Sequence, residues 1–151
     1  MKLTRISNIK IEQISQVLNI PLQAVLMRDQ FNKDLPNGIY IVNLDDSEGS
    51  GTHWTLLIKK GNNYIYFDSF GCAPPQDILD SMKINPDKLL FNDQQIQDIK
   101  SQNCGYYSIL FAYYYSREKT ANKTIRAFLS NFTEDEKEND KVLKRIFDKL
   151  L

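Results

Sequence analysis

Residues 104–115 read CGYYSILFAYYY, and this stretch decides the fold. It is long enough for a helix, it holds no proline, and it is apolar or aromatic on every side of a helical projection. A helix of that kind is stable when the rest of the chain surrounds it. The sequence therefore predicts a buried helix that begins at Cys104, with the other elements packed around it.

Strands are predicted upstream of this helix, where β-branched and aromatic residues are concentrated. The second and third of these segments are separated by the turn sequence Gly61-Asn62-Asn63, which predicts a β-hairpin. Residues 45–51, DDSEGSG, predict a polar, flexible loop before that hairpin. The four predicted strands are residues 39–44, 54–58, 64–67 and 89–91.

Further helices are predicted on both sides of the strands. Apolar residues between Ile9 and Leu26 have helical spacing, but Pro21 interrupts them, so two short helices are expected there. Residues 133–136, TEDE, match the capping-box pattern and predict the start of a last, amphipathic helix. That helix either closes the core or binds a partner, and the core is favoured. Residues 76–82 and 120–132 are expected to form one helix each.

Length and composition indicate one globular domain, residues 1–151. The 19 basic residues balance 19 acidic ones, so a nucleic-acid partner is not expected from charge. One His and two Cys cannot supply the four ligands of a Cys/His zinc site, and neither a metal nor a cofactor is expected. No apolar run approaches the ~20 residues of a membrane span, and residues 1–15 lack the apolar core of a secretory signal. The simplest expectation is a soluble intracellular protein.

Three residues have the chemistry of nucleophilic catalysis. Cys104 begins a predicted helix, where free N–H groups and the helix dipole favour a thiolate. His53, the only histidine, precedes one strand of the hairpin and Asp68 follows the other, so the two are expected side by side. A carboxylate so placed holds an imidazole in one tautomer. Taken singly, each favours a plainer interpretation: a structural thiol, a polar strand edge and a turn cap.

Gln97, Trp54 and Cys72 are secondary candidates. The amide of Gln97, together with the backbone N–H of the nucleophile, can bind an oxyanion, although spacing alone does not choose among the neighbouring glutamines. Trp54, next to the histidine, offers a rigid wall. Cys72 precedes Ala-Pro-Pro and has no base to spare for it, so a structural or incidental role is favoured.

Three local motifs in order resemble a known family. Residues 51–54 read GTHW, residues 66–71 read YFDSFG, and residues 97–105 read QDIKSQNCG, with the spacing Gln, three residues, Ser, two residues, Cys-Gly. Together they resemble the adenovirus-type (adenain-like) cysteine proteases and their relatives, the SUMO-specific and deneddylating proteases. The second motif is closest in form to those of Polinton-like elements and virophages. The third selects Gln97 among the glutamines.

The resemblance implies an α+β, papain-like or adenain-like fold, in which a central mixed, mostly antiparallel sheet packs on a buried helix that begins at the nucleophile. It implies that Cys104 attacks a scissile carbonyl and that His53 protonates the leaving amine. Asp68 is then expected to orient His53, and Gln97 to bind the oxyanion with the N–H of Cys104. Trp54 is expected to line the substrate groove.

The function implied is that of an endopeptidase maturing capsid or scaffold precursors of a DNA virus, virophage or Polinton-like element. Such a protein is expected as a monomer in infected-cell cytoplasm or the virus factory, and packaged in the virion. Adenoviral members use DNA and a disulfide-linked peptide as activators; the neutral charge of this chain and its single spare thiol, Cys72, do not favour either. The alternatives are a protease for ubiquitin-like modifiers, an inactive binding module of the same fold, and an acyltransferase using the same Cys and His.

Overall fold

The computed structural model describes residues 2–45 and 53–151. These residues form five strands and five α-helices. One short 3₁₀ helix follows β1 and another precedes β5. In chain order the elements are α1 (Asn8–Val17), β1 (Leu22–Met27), β2 (Gly38–Asn43), β3 (Trp54–Lys60), β4 (Asn63–Phe67), α2 (Gln76–Met82), β5 (Leu89–Phe91), α3 (Cys104–Glu118), α4 (Ala121–Leu129) and α5 (Glu136–Leu150).

The strands form one sheet in the order β1-β2-β3-β4-β5. β3 pairs antiparallel with both β2 and β4, and the β3–β4 pair is the hairpin that the turn at residues 61–63 predicts. The two outer strands pair in parallel with their neighbours. The expected α+β architecture with a mixed sheet is therefore confirmed.

Both faces of the sheet are covered, because side chains that alternate along β2, β3 and β4 enter two separate apolar clusters. One face packs on α3, whose first nine residues, Cys104–Ala112, are all buried. The buried central helix predicted from the sequence is thus confirmed. The opposite face packs on α2 through Ile78 and Met82.

The C-terminal helices complete the core on the α3 side. Phe128 of α4 lies edge-on to both Phe67 of β4 and Phe111 of α3, with ring centroids 5.0 and 5.1 Å away. Leu143 and Phe147 of α5 are fully buried in the same cluster. The last helix therefore closes the core, as favoured from the sequence. Among the described residues, no helix is long and apolar enough to cross a membrane.

The prediction of a second short helix after Pro21 is wrong, because residues 22–27 form strand β1. α1 ends at Val17, and Asn19 turns the chain with a φ of 55°. β1 then pairs in parallel with β2, with Val25 opposite Ile41. The apolar spacing suits a short helix and a short strand alike, and the backbone hydrogen bonds offered by β2 select the strand.

The start of α5 also differs from the expected capping box. Asp135, not Thr133, is the N-cap, and its carboxylate accepts hydrogen bonds from the N–H groups of Lys137 and Glu138. Thr133 lies two residues before the N-cap, and its hydroxyl accepts a hydrogen bond from the N–H of Asp135. Most of the loop predicted at residues 45–51 lies outside the described residues.

Candidate active site

Three chain segments meet at one end of the sheet. β3 begins at Trp54, directly after His53, and β4 ends at Phe67, directly before Asp68. The two strands are antiparallel, so the start of one lies beside the end of the other. α3 packs on β3 and has Cys104 as its first residue. The fold therefore brings the three predicted residues together.

The imidazole of His53 is held from two sides. Its Nε2 lies 2.8 Å from Oδ1 of Asp68, whose side chain is only 2% exposed. The ring of Phe70 stacks on the imidazole at a centroid distance of 4.7 Å and an angle of 20°. The N–H of Phe70 also donates to Oδ1 of Asp68 at 2.8 Å. Phe70 was not among the sequence candidates; the only signal was its place two residues after the aspartate.

The sulfur of Cys104 lies against the start of β3, beside His53. It accepts the backbone N–H of Trp54 at 3.3 Å, and its interaction with the imidazole of His53 raises the pKa of that ring. Because Nε2 of the ring faces Asp68, Nδ1 is the nitrogen that remains for the thiol. Cys104 is buried, and its position at the first turn of α3 adds the positive end of the helix dipole.

The electrostatics of the site favour a charged imidazole. Burial of the ring works toward a lower pKa, but hydrogen bonds and charge from Asp68 and Cys104 outweigh it and raise the pKa of His53 to about 9. At neutral pH the ring is then an imidazolium that can donate a proton. A buried carboxylate on one side and a thiol on the other is the arrangement that supports an ion pair between sulfur and imidazole.

Gln97 is fully buried, and its amide is fixed at both ends. Its Oε1 accepts a hydrogen bond from the hydroxyl of Ser69, and its Nε2 donates to the carbonyl of Ser101 at 2.9 Å. An amide nitrogen carries two hydrogens, so one remains for a further acceptor. The carbonyl of Ser69 accepts from the N–H of Gln97 at 3.1 Å, which ties this loop to the segment that holds Asp68.

The loop before α3 is also anchored to the C-terminal helix. The carbonyl of Ile96 accepts a hydrogen bond from the side-chain amide of Asn139 at 2.9 Å. Asn139 is fully buried in α5, and its amide also bonds Thr133. α5 therefore fixes the backbone next to Gln97 as well as closing the core.

Asn92 positions the backbone of Asp68, and sequence reasoning missed it. Its Oδ1 accepts the N–H of Asp68 at 3.1 Å, and its Nδ2 donates to the carbonyl of Asp68 at 2.9 Å. The same Nδ2 donates to the carbonyl of Gln94 at 3.2 Å. A signal existed: Asn92 directly follows β5 as Asp68 directly follows β4, and the ends of parallel neighbours lie together.

The last glycine of YFDSFG is required by the backbone. Gly71 has a φ of +75°, and a Cβ there would lie 2.8 Å from the carbonyl carbon of Gln94 and 2.9 Å from the N of Gln95. Its N–H donates to the carbonyl of Asp68 at 2.8 Å. Gly71 therefore allows the turn after Asp68 to lie against the loop that leads to Gln97.

The side chain of Trp54 lies under the N-terminal segment. It is 6% exposed, and its indole N–H donates to the carbonyl of Ile6 at 3.0 Å. Gly105 makes room for this contact, because a Cβ there would lie 2.1 Å from Cγ2 of Ile6 and 3.2 Å from Cδ1 of Trp54. The glycine after the cysteine is thus explained by packing. The groove-lining role of Trp54 stays a prediction.

Cys72 lies apart from this arrangement. It is exposed and not in a disulfide. Partial burial and the negative charge of Asp68 raise the pKa of its thiol. Among the described residues, no group of three or more His, Cys, Asp or Glu side chains is placed to hold a metal ion.

Comparison with known proteins supports the fold. No family model and no curated protein matches this chain. A crystal structure of the ASFV pS273R protease matches with a TM-score of 0.55 and 14% identity, over 92% of this chain and 66% of that one. The likeness shows a shared fold.

Two further solved structures match with lower TM-scores. The selenomethionine form of the ASFV protease gives 0.42 at 22% identity, over 70% of this chain and 43% of that one. The C-terminal Ulp1 protease domain in complex with Smt3, the yeast ortholog of SUMO, matches with a TM-score of 0.41 and 13% identity. That match covers 97% of this chain and 79% of the Ulp1 domain. This chain thus spans about half to two-thirds of the length of the ASFV protease structures.

Proposed function

We propose that this chain is a cysteine endopeptidase. The observation that carries the proposal is the grouping of Cys104, His53 and Asp68 at one end of the sheet. Nε2 of His53 lies 2.8 Å from Oδ1 of Asp68, and the backbone N–H of the next residue, Trp54, donates to the sulfur of Cys104. The fold shared with the ASFV protease supports it.

The first half of the reaction forms an acyl-enzyme. The Cys104 thiolate attacks the scissile carbonyl carbon, and the carbonyl electron pair moves to oxygen. That oxyanion accepts hydrogen bonds from the N–H of Cys104 and from the free hydrogen on Nε2 of Gln97. The His53 imidazolium then gives its proton to the leaving nitrogen as the C–N bond breaks, which leaves a thioester.

The second half restores the enzyme. Neutral His53 takes a proton from a water molecule, whose oxygen attacks the thioester carbonyl. The C–S bond breaks, the acid product leaves, and the thiolate–imidazolium pair forms again. Throughout, Asp68 fixes the ring orientation and stabilises its positive charge.

The substrate that we propose is a capsid or scaffold precursor protein of a DNA virus, virophage or Polinton-like element. The form of the YFDSFG motif supports a viral or mobile-element protein, as does the shared fold with a protease of ASFV over most of this chain. The corresponding location is infected-cell cytoplasm or the virus factory, with packaging in the virion. A monomer suffices, because all site residues come from one chain.

The experiment is cleavage of a proteome-derived peptide library, with new termini read by mass spectrometry. Wild type and Cys72→Ser are expected to cleave alike, and Cys104→Ala not above background. Gly-rich sequences around the new termini would favour precursor sites. Cleavage of no peptide, together with cleavage behind the tails of separately supplied folded ubiquitin-like modifiers, would favour the modifier protease.

If Cys104→Ala still cleaves peptides, Cys104 is not the nucleophile. A wild type that cleaves nothing, with Cys104 alkylated no faster than Cys72 near pH 6, would favour the inactive binding module.

A further inference from the structure

A cavity of about 400 Å³ lies at the end of the sheet remote from Cys104. It is bounded by the β3–β4 turn, the start of β5, the end of α3 and the start of α4. β3 runs from the candidate active site to this cavity, and its seven residues span about 20 Å at ~3.3 Å per residue. The cavity is therefore separate from the catalytic machinery.

The floor of the cavity is an apolar row across three strands. Ile58 of β3 pairs with Ile65 of β4, which pairs with Leu90 of β5, so their side chains share the face toward α3. Tyr115 of α3 adds an aromatic wall. Leu90, on the edge strand β5, is 44% exposed and is therefore open to a ligand. The row thus offers a place for an apolar side chain of a ligand.

The rim of the cavity is cationic. It carries Lys60 at the end of β3, Lys88 before β5 and Lys119 at the end of α3. Asp87 is the only acidic residue among those that line the cavity. In the part of the chain that the structure describes, none of the three ammonium groups has a side-chain hydrogen bond or salt bridge. In a chain of zero net charge, this is a local excess of positive charge.

A second cavity of about 450 Å³ continues from the first. The two share Ile58, Lys60, Tyr115 and Lys119, and the second extends to Pro21 and the start of β2. Together they form a groove that crosses the sheet beneath the end of α3. Its length suits an extended peptide better than a compact small molecule, whose site is usually one enclosed pocket.

We propose that this distal groove binds an acidic peptide segment of a partner protein. One apolar side chain of the peptide packs on Leu90 and Tyr115, above the buried Ile58 and Ile65. Flanking carboxylates meet Lys60, Lys88 and Lys119. The apolar floor favours a peptide over a nucleic acid, which requires a longer basic track. Lysines suit carboxylates at a groove rim, since their heads stay in water while their stems cover apolar surface.

Fluorescence anisotropy tests the proposal with full-length Cys104→Ala protein, which removes cleavage from the measurement. The probe is a labelled ten-residue peptide with one central Leu-Phe pair flanked by four Glu on each side. Saturable binding is expected, weakened about tenfold or more by the double reversal Lys60→Glu/Lys119→Glu and reduced by raised salt. Lys149→Glu, an exposed charge reversal outside both cavities, is expected to bind as the parent does.

Two comparison probes define what would overturn it. Replacing the Leu-Phe pair by Gly-Ser is expected to weaken binding at least fivefold, and equal affinity would mean that the apolar floor plays no part. If a ten-nucleotide single-stranded DNA binds more tightly than the peptide, the partner of the groove is a nucleic acid and the proposed acidic peptide is wrong. No saturable binding up to 1 mM peptide, or equal binding by the double reversal, would also reject the proposal. Each outcome is independent of peptidase activity.

Discussion

Replacing Asp68 by Asn should lower the pKa of His53 by removing the carboxylate charge while keeping nearly the same side-chain shape. The carboxylate is buried, and its Oδ1 lies 2.8 Å from Nε2 of the imidazole. In the wild type the attraction of Asp68 and Cys104 overcomes the effect of burial. Without the charge on Asp68, burial, which favours the neutral ring, is opposed by Cys104 alone.

The size of the effect follows from the pKa of His53, which lies at about 9 rather than the ordinary 6.5. At about 1.4 kcal/mol per pKa unit, the imidazolium is stabilised by about 3 kcal/mol. If Asp68→Asn brings the pKa to 6.5 or below, the charged fraction at pH 7.5 falls from nearly all to about a tenth or less.

The assay uses the fact that His53 is the only histidine in the chain. With ¹³C-labelled histidine, one imidazole signal can be followed by NMR from pH 5 to 10 without assignment. Iodoacetamide alkylation of Cys104, measured in a Cys72→Ser background, gives a second readout across the same range. Asp87→Asn is the matched control, because it makes the same change at an exposed aspartate in the distal groove.

We expect a wild-type midpoint well above 6.5, a clearly lower midpoint in Asp68→Asn, and no change in Asp87→Asn. Alkylation of Cys104 at pH 7 should slow at least tenfold in Asp68→Asn alone. A wild-type midpoint near 6.5 that Asp68→Asn leaves in place would refute the reasoning, since the buried carboxylate would then not control the imidazole.

Three further outcomes are expected. Asn92→Ala should lower the free energy of unfolding in urea by about 2–3 kcal/mol, because it leaves the buried N–H of Asp68 without its acceptor; an unchanged midpoint would show that the amide is dispensable. Gly71→Ala should cost more than Gly61→Ala, since both have φ above +60° but only the first Cβ meets backbone; equal losses would contradict the close approach. The pKa of His53 is higher in the folded state than in the unfolded state, so protonated His53 stabilises the fold by about 3 kcal/mol. This stabilisation is complete below pH 6.5 and is lost as the pH rises through about 9. If the stability of the wild type relative to His53→Gln is no lower at pH 9.5 than at pH 6, this reasoning is wrong.

Several features could be predicted because their causes are local in the sequence. The run from Cys104 to Ala112 has no polar face, so it had to be buried wherever it lay. The turn at Gly61 joins two β-rich segments, so His53 and Asp68 had to lie at the same end of the hairpin. The pairing of His53 with Asp68 could therefore be proposed from the hairpin alone, whereas the place of Cys104 beside them, 50 positions along the chain from Trp54, was implied only by the resemblance of the three motifs.

Other features depended on partners that are distant in sequence. Residues 22–27 are a strand because β2 lies beside them, and no local pattern states that pairing. Asn92 holds the backbone of Asp68 from 24 positions away, and Ile6 covers Trp54 from 48 positions away. The distal groove needs β5, α3 and α4 at once. The sequence by itself determined the buried helix, the hairpin and the candidate site residues. The tertiary structure decided the strand at residues 22–27 and which backbone groups hold the site, because a buried N–H or C=O bonds whatever the packed chain places within about 3 Å.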